Sequence, residues 1–139
     1  MSAEHAHEAP DTLTKNQALV FHALDGADKP LGAYDLLDAL RGDGIRSPLQ
    51  VYRALDKLIG LGLVHRLESL NAFILCAHCE DAGHKSAAFT ICDKCGHVTE
   101  VEDDDLVARL TGIAAASGFR LEKSTIELRG LCAACQAAA

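Results

Sequence analysis

Two Cys-x-x-Cys pairs in the second half of the chain restrict its fold more than any other feature. The first pair, Cys92 and Cys95, lies in FTICDKCGHVTEV, and the second, Cys132 and Cys135, lies in LCAAC. Each pair places two thiolates on one tight turn, where both can bind the same metal ion. Two such turns complete a tetrahedral shell of four sulfur atoms, which favours zinc and leaves no open position. The sequence therefore predicts a structural zinc site that ties the last strand to earlier ones.

The alternative interpretation of the cysteine pairs is two redox-active dithiols. A thioredoxin-like pair lies between a strand and a helix of a βαβ unit, and neither pair has that context. The chain has six cysteines and begins with an acidic, polar segment, MSAEHAHEAPD, which has no apolar run typical of a secretory signal. These features predict a cytoplasmic protein whose thiols stay reduced. No stretch approaches the roughly 20 apolar residues of a membrane span, so no membrane association is expected.

The first half of the chain predicts three short helices and a hairpin. Thr14 and Ser47 are the expected N-caps of the first and third helices, and Pro48 suits the first helical position. The predicted helices cover residues 14–24, 31–41 and 48–59. Two alternating segments, LVHRLES and NAFILC, predict the strands of a β-hairpin. This order predicts a winged helix-turn-helix domain over residues 12–75, after a disordered tail at residues 1–11.

The third predicted helix carries a candidate DNA-reading face. Its apolar stripe contains Val51, Leu55, Leu58 and Ile59. Its polar side offers Gln50, Tyr52 and Arg53, which suit base edges and phosphates. The alternative is a packing helix with a solvated polar face, but the short preceding helix and the glycine-rich turn favour DNA binding. The net charge of −7 argues against indiscriminate coating of nucleic acid and leaves site-specific binding open.

The second half predicts a small α+β module. Strands at residues 87–91 and 97–101 flank the first cysteine pair, a helix capped by Asp104 or Asp105 runs through LVARLTGIAAAS, and FRLEKSTIELRG forms the last strand. So short a module is expected to dimerise. The predicted class is therefore α+β, with an N-terminal winged helix-turn-helix domain, a hinge at residues 76–80 and a small C-terminal α/β dimerisation and metal-binding domain at residues 81–139.

A second group of potential metal ligands lies around the hinge. Its members are His65, Cys76, His78, Cys79, His84, His97 and Glu100. A site that drew ligands from both halves would couple metal binding to the relative orientation of the halves. Spacing alone does not select a ligand set from this group, and a third metal site that uses His78, Cys79 or His97 stays open.

Taken together, these segments resemble the ferric uptake regulator (Fur) family and, within it, the zinc uptake regulator (Zur) branch. The resemblance covers residues 13–136 and rests on AYDLLDALR, VYRALDKL, GLVHRLES, ICDKCGHVTE and GLCAAC, in that order and spacing. It implies a homodimeric, zinc-responsive transcriptional repressor that binds a palindromic operator in double-stranded DNA and controls zinc uptake genes. It also implies a regulatory zinc bound by His65, Cys76, His84 and Glu100, beside the structural zinc of the four cysteines.

The resemblance further places Tyr52 and Arg53 on the recognition helix, and Tyr34 on the preceding helix near the DNA backbone. A thiolate among the regulatory ligands favours zinc over ferrous iron. The alternatives are a regulator of the same family that senses iron, manganese or nickel, and a zinc-binding adaptor without DNA binding. An enzyme is not expected, because zinc deaminases need His-x-Glu and Pro-Cys-x-x-Cys, whereas here His97 and Glu100 are three apart and Ile91 precedes Cys92.

Overall fold

The chain divides into two compact units, one ending at Cys76 and the other beginning at Ala77. The computed structural model describes residues 9–77 and 86–138. The first unit contains α1 (Lys15–Asp25), α2 (Ala33–Leu40), α3 (Pro48–Gly60), β1 (Val64–Leu67) and β2 (Ala72–Leu75). The second contains β3 (Ser86–Cys92), β4 (Val98–Val101), α4 (Asp104–Ala116), β5 (Ser124–Gly130) and α5 (Ala133–Ala137). None of the described helices combines the length and the hydrophobicity needed to cross a membrane.

Side-chain caps fix where α1 and α3 begin. The hydroxyl of Thr14 accepts a hydrogen bond from the backbone N–H of Gln17, and the side chain of Gln17 accepts one in return from the N–H of Thr14. Ser47 and Gln50 form the same reciprocal box at the start of α3, where Pro48 occupies the first turn. Each box satisfies backbone donors that have no partner within the helix. The two N-caps predicted from the sequence are thereby confirmed.

A tight connection separates α2 from α3. A single 3₁₀ turn, Arg41–Asp43, follows α2 directly, and Gly44 then adopts a left-handed backbone with φ of 105°. Glycine reaches this conformation without the steric penalty that a side chain would bring. The reversal at Gly44 lets Ile45 pack into the core before α3 begins.

One apolar core holds the first unit together. It draws side chains from all three helices and from both strands of the hairpin. Its fully or nearly fully buried members are Val20, Phe21, Leu24, Ala33, Leu36, Leu37, Leu40, Ile45, Val51, Ala54, Leu55, Leu58, Val64 and Phe73. Because the apolar side of α3 is buried in this core, the opposite side of the helix faces the solvent.

The hairpin forms a wing beside the helices. Strands β1 and β2 pair antiparallel, with His65 opposite Ile74. Leu31, just before α2, exchanges two backbone hydrogen bonds with Phe73 at 2.8 and 3.0 Å and so adds a one-residue bridge to β2. Three helices followed by this wing confirm the predicted winged helix-turn-helix.

The second unit is built on a three-stranded sheet of order β4-β3-β5. β3 pairs antiparallel with β4 and parallel with β5, so α4 lies in the crossover connection that parallel pairing requires. Among the described residues of this unit, the buried side chains are Ala88, Phe89, Ile91 and Cys92. None of the side chains of α4 is buried.

Three details of the second unit differ from the sequence prediction. The N-cap of α4 is Asp103, whose carboxylate accepts from the N–H of Leu106 at 3.1 Å, so the prediction of Asp104 or Asp105 was wrong. The last strand begins at Ser124, which pairs with Ser86 of β3, and not at Phe119. The short helix α5, which contains Cys135, was not predicted.

Candidate metal centres and nucleic-acid interface

The four cysteines of the two Cys-x-x-Cys pairs lie together in the second unit. The sulfur atoms of Cys92, Cys95, Cys132 and Cys135 are all within 4.8 Å of one another. The Cys95 and Cys132 sulfurs are 3.7 Å apart. A tetrahedral zinc ion with Zn–S bonds of about 2.3 Å has sulfur–sulfur edges of about 3.8 Å. The cluster therefore fits zinc in both donor chemistry and spacing, as the sequence predicted.

The register of the sheet explains why the two pairs meet. β3 and β5 run parallel, and Cys92 lies opposite Gly130 in the ladder. The segments that follow these strands leave the sheet at the same edge, and each carries one cysteine pair. The first pair is shaped by Gly96, whose φ is 76° and whose N–H donates to the carbonyl of Cys92 at 3.0 Å.

An ion pair joins the first cysteine turn to β5. Both Nε and Nη2 of Arg129 lie 2.9 Å from Oδ1 of Asp93, which sits between Cys92 and Cys95. The N–H of Asp93 also donates to the carbonyl of Gly130 at 2.8 Å. These contacts hold the turn against the strand that leads to Cys132. The sequence reasoning missed this pair, because opposite charges 36 positions apart carry no local signal.

Hydrogen bonding shifts the pKa values of Cys92 and Cys135 in opposite directions. The N–H of Cys95 donates to the sulfur of Cys92 at 3.5 Å, and this backbone donor, with that of Cys132, lowers the pKa of Cys92 to about 5. The side chains of Cys132 and Cys92 share hydrogen bonds with Cys135 and raise its pKa to about 12. Zinc binds cysteine as the thiolate, so metal binding displaces the protons that the four thiols still carry, and zinc affinity falls at acidic pH.

Two of the predicted regulatory ligands meet on the wing. His65 lies on β1 opposite Ile74, and Cys76 lies two residues beyond Ile74, so their side chains share one face of the hairpin. A ring nitrogen of His65 and the sulfur of Cys76 are within 4.8 Å of each other. Cys76 is buried, with 1% of its surface exposed, and its N–H donates to the carbonyl of Leu63 at 2.9 Å. The wing thus presents one imidazole and one thiol as neighbours, a donor pair that suits zinc.

The two other described members of the second ligand group, His97 and Glu100, belong to the second unit. Glu100, on β4, accepts a hydrogen bond from the N–H of Ala77 at 2.7 Å, within the second unit. The ring Nε2 of His97 lies 3.2 Å from the hydroxyl of Thr99. His78, Cys79 and His84 fall outside the described residues, so their assignment stays a prediction.

Three of the four predicted DNA contacts are on exposed surface of the first unit. Tyr34 on α2 is 67% exposed, and Tyr52 on α3 is 39% exposed. Arg53 is exposed beside Tyr52. Gln50 is only half-exposed, and its Oε1 accepts from the N–H groups of Arg46 at 2.8 Å and Ser47 at 3.2 Å. The structure thus gives Gln50 a capping role that the sequence analysis did not assign.

Comparison with known proteins agrees with this architecture. Residues 13–129 match the model of the ferric uptake regulator family. The chain is 42% identical to the zinc uptake regulation protein of Escherichia coli K12 over 124 residues, which are 88% of this chain and 72% of that protein. A crystal structure of holo XcZur is 47% identical, with a TM-score of 0.81 over 91% of this chain and 87% of that one. A zinc uptake regulator solved with zinc and DNA is 39% identical, with a TM-score of 0.84 over 91% of this chain and 84% of that one. The chain therefore belongs to the ferric uptake regulator family.

Proposed function

We propose that this protein is a zinc-responsive transcriptional repressor, which binds a palindromic operator in double-stranded DNA as a homodimer and controls zinc uptake genes. It is a transcription regulator of its family and not an enzyme. It acts in the cytoplasm, where the thiols of its metal centres stay reduced.

The observation that carries this proposal is the pair of potential metal ligands on the wing. His65 and Cys76 belong to the same unit as the exposed face of α3, so a metal ion bound there acts on the unit that reads DNA. The resemblance adds His84 and Glu100 as the other two regulatory ligands, and both belong to the second half of the chain. An ion held by all four restrains the reading unit against the rest of the protein.

The regulatory site works through the protonation and position of its ligands. His65 binds metal through a neutral ring nitrogen and Cys76 through a thiolate, so protons compete with the metal and zinc affinity falls at acidic pH. The thiolate of Cys76 favours zinc over ferrous iron. When bound, zinc supplies the bonds that favour the closed arrangement of the two halves. This restraint lowers the ordering cost of DNA binding.

The dimer forms through the second unit. Five large apolar side chains of the second unit are between 38% and 64% exposed, namely Val107, Ile113, Phe119, Leu128 and Leu131. Pairing with a second copy buries such side chains and supplies the core that this small unit lacks. The symmetric dimer then holds two recognition helices at about 34 Å, or a multiple of it, so that they enter successive major grooves.

The proposal is tested by measuring operator binding by fluorescence anisotropy in zinc-buffered solutions. Wild-type protein binds the operator only above a threshold of free zinc. Cys76→Ser and His84→Ala lose the zinc response, while zinc counting shows that each variant keeps the one ion of the Cys₄ cluster. His22→Ala is the matched control, because His22 is exposed on α1 and is not in the second ligand group, and it responds as the wild type does. Normal operator binding by both ligand variants in the presence of a chelator refutes the regulatory site.

The same titration separates the rival regulators. Competition among zinc, iron, manganese and nickel identifies the activating metal, and zinc prevails if a thiolate is among the ligands. A zinc-binding adaptor without DNA binding shows no retardation of any duplex at any zinc concentration.

A further inference from the structure

The solvent-facing side of α3 contains one aliphatic side chain among polar ones. The exposed residues at positions 49, 52, 53, 56 and 57 are spaced so that they share one face of the helix. They are Leu49, Tyr52, Arg53, Asp56 and Lys57. Leu49 is 56% exposed, which is more than the 39% of Tyr52. An apolar side chain therefore lies at the N-terminal end of this face.

Leu49 is not part of the core of the first unit. Ser47, Pro48 and Gln50 determine where α3 begins, and they do so without the leucine side chain. Within residues 9–77, Leu49 is neither in the core cluster nor among the partly buried side chains packed against it. Isolated exposed leucines are common on protein surfaces and by themselves indicate nothing. The charged side chains on the same face of α3 give the exposure of Leu49 its meaning.

Three cationic side chains lie on the same face of α3 as Leu49 or just before the helix. Arg53 lies one turn further along the same face and Lys57 lies two turns along it, while Arg46 is exposed just before the helix. Asp56 offsets one of these charges. The result is an aliphatic side chain set within a basic surface, and the partner it matches is a polyanion with apolar groups between its charges. The major groove of DNA has this character, because it lies between phosphates and displays the 5-methyl group of thymine.

We propose that Leu49 is a specificity-determining residue that packs against the 5-methyl group of a thymine in the major groove. This inference rests on the proposed function. Recognition helices contact base edges through their N-terminal residues, and Leu49 is in the first turn of α3. A leucine side chain has no hydrogen-bond donor or acceptor, so the thymine methyl is the base feature it can select. Leu49 therefore selects a thymine at one position of each operator half-site.

The test removes the methyl group from the DNA. Operator sequences are first selected from a random duplex pool with zinc-loaded, full-length protein. Each thymine of the selected site is then replaced by deoxyuridine, which keeps base pairing and lacks only the methyl group. For wild-type protein, replacement of the contacted thymine in one half-site weakens binding about four-fold, which corresponds to the burial of one methyl group. Replacement in both half-sites weakens binding about 16-fold.

The matching protein variant is Leu49→Ala. It binds the methylated and unmethylated sites equally, because the side chain that contacts the methyl group is gone. Leu61→Ala is the control, since Leu61 is 47% exposed but follows the other end of α3. It discriminates between the two sites as the wild type does. Circular dichroism melting checks that the variants fold.

Two results overturn the inference, and they are distinguishable. If operator binding is zinc-dependent and no deoxyuridine replacement weakens it more for wild type than for Leu49→Ala, then Leu49 does not read a methyl group. If no sequence is enriched from the pool at any zinc concentration, then the proposed function fails and the role of Leu49 fails with it. The scan on unaltered protein refutes the inference by itself if no replacement weakens binding. Leu49→Gln, which also lacks the branched apolar side chain, replaces Leu49→Ala if that variant fails to fold.

Discussion

Loss of zinc from the Cys₄ cluster should unfold the second unit and leave the first unit folded. The perturbation is Cys132→Ser combined with a chelator. The two units differ in what holds them together. A cluster of fourteen buried apolar residues forms the core of the first unit. The described part of the second unit buries two large side chains, Phe89 and Ile91, besides Ala88 and Cys92.

A comparison of the free energies from side-chain burial and from zinc binding shows which unit depends on the metal. Full burial of a side chain such as Phe89 or Ile91 contributes about 1.5–3 kcal/mol, hence about 3–6 kcal/mol for the two. A structural zinc ion contributes about 10–16 kcal/mol to the folding of small zinc domains at pH 7. Removal of zinc therefore takes away more stabilisation than these two side chains supply. The first unit loses nothing, because its core contains no ligand of this cluster.

Hydrogen exchange read by mass spectrometry measures both units in the same full-length sample. Peptides from β3, β4 and β5 should lose their protection when zinc is removed, while peptides from α1 and α3 should keep theirs. Cys76→Ser is the matched control, since it removes a thiol that is not part of the cluster, and β3 to β5 should stay protected in it. Unchanged protection of β3 and β5 in zinc-free Cys132→Ser would refute the reasoning.

Three further substitutions test single contacts. Ser47→Ala removes the cap of α3 and should lower the free energy of unfolding of the first unit by about 1 kcal/mol in a urea titration, whereas Ser47→Asp should restore most of the loss. Arg53→Ala should weaken operator binding by about 1–3 kcal/mol in anisotropy titrations if Arg53 contacts a base, and an equal loss on random duplex would identify a phosphate contact instead. Arg129→Gln breaks an ion pair whose side chains are 56% and 44% exposed, so the loss should be at most about 1 kcal/mol, seen as zinc release to a chelator up to about five-fold faster. Arg120→Gln breaks an exposed pair with Glu122 outside the cysteine turns and should leave zinc release unchanged.

The sequence predicted the features that depend on short spacings. The cysteine pairs, the N-caps of α1 and α3 and the strands of the wing each depend on a few neighbouring residues, and the structure contains them where they were expected. Ser47, Pro48 and Gln50 mark the start of α3 in this way. The Cys₄ cluster was also predictable, because four thiols in two pairs have a strong preference for one shared ion.

Features that depend on tertiary neighbours were not predictable. Residues 102–105 are all acidic, and each acidic side chain is a plausible cap, so only the path of the backbone selects Asp103. The alternating pattern of the last strand extends back to Phe119, but the ladder begins where β3 begins, at Ser86. Such choices depend on partners far away in the chain, which local patterns do not encode.

Gln50 shows why a polar residue on a recognition helix is ambiguous in sequence. A glutamine at this position can cap the helix or read an adenine. In the structure its Oε1 accepts from two backbone N–H groups before α3, so a base contact through that oxygen would cost both hydrogen bonds. Leu49, by contrast, is 56% exposed and lies outside the core cluster of the first unit. Its exposure is not evident from the sequence, because apolar residues of a helix usually belong to the core.

The packing of the wing bears on two properties of a metal-controlled repressor, namely how tightly it binds its operator and which sequence it chooses. Val64 of β1 and Phe73 of β2 belong to the same core cluster as Val51 and Leu55 of α3, so the hairpin and the recognition helix are parts of one packed body. A metal ion on His65 and Cys76 therefore cannot reshape the exposed face of α3 without disrupting this core. In the proposed function, the ion acts on the unit as a whole, so the metal ligands set how tightly the operator is bound. The choice of sequence is then left to the exposed face of α3, where we have proposed a role for Leu49.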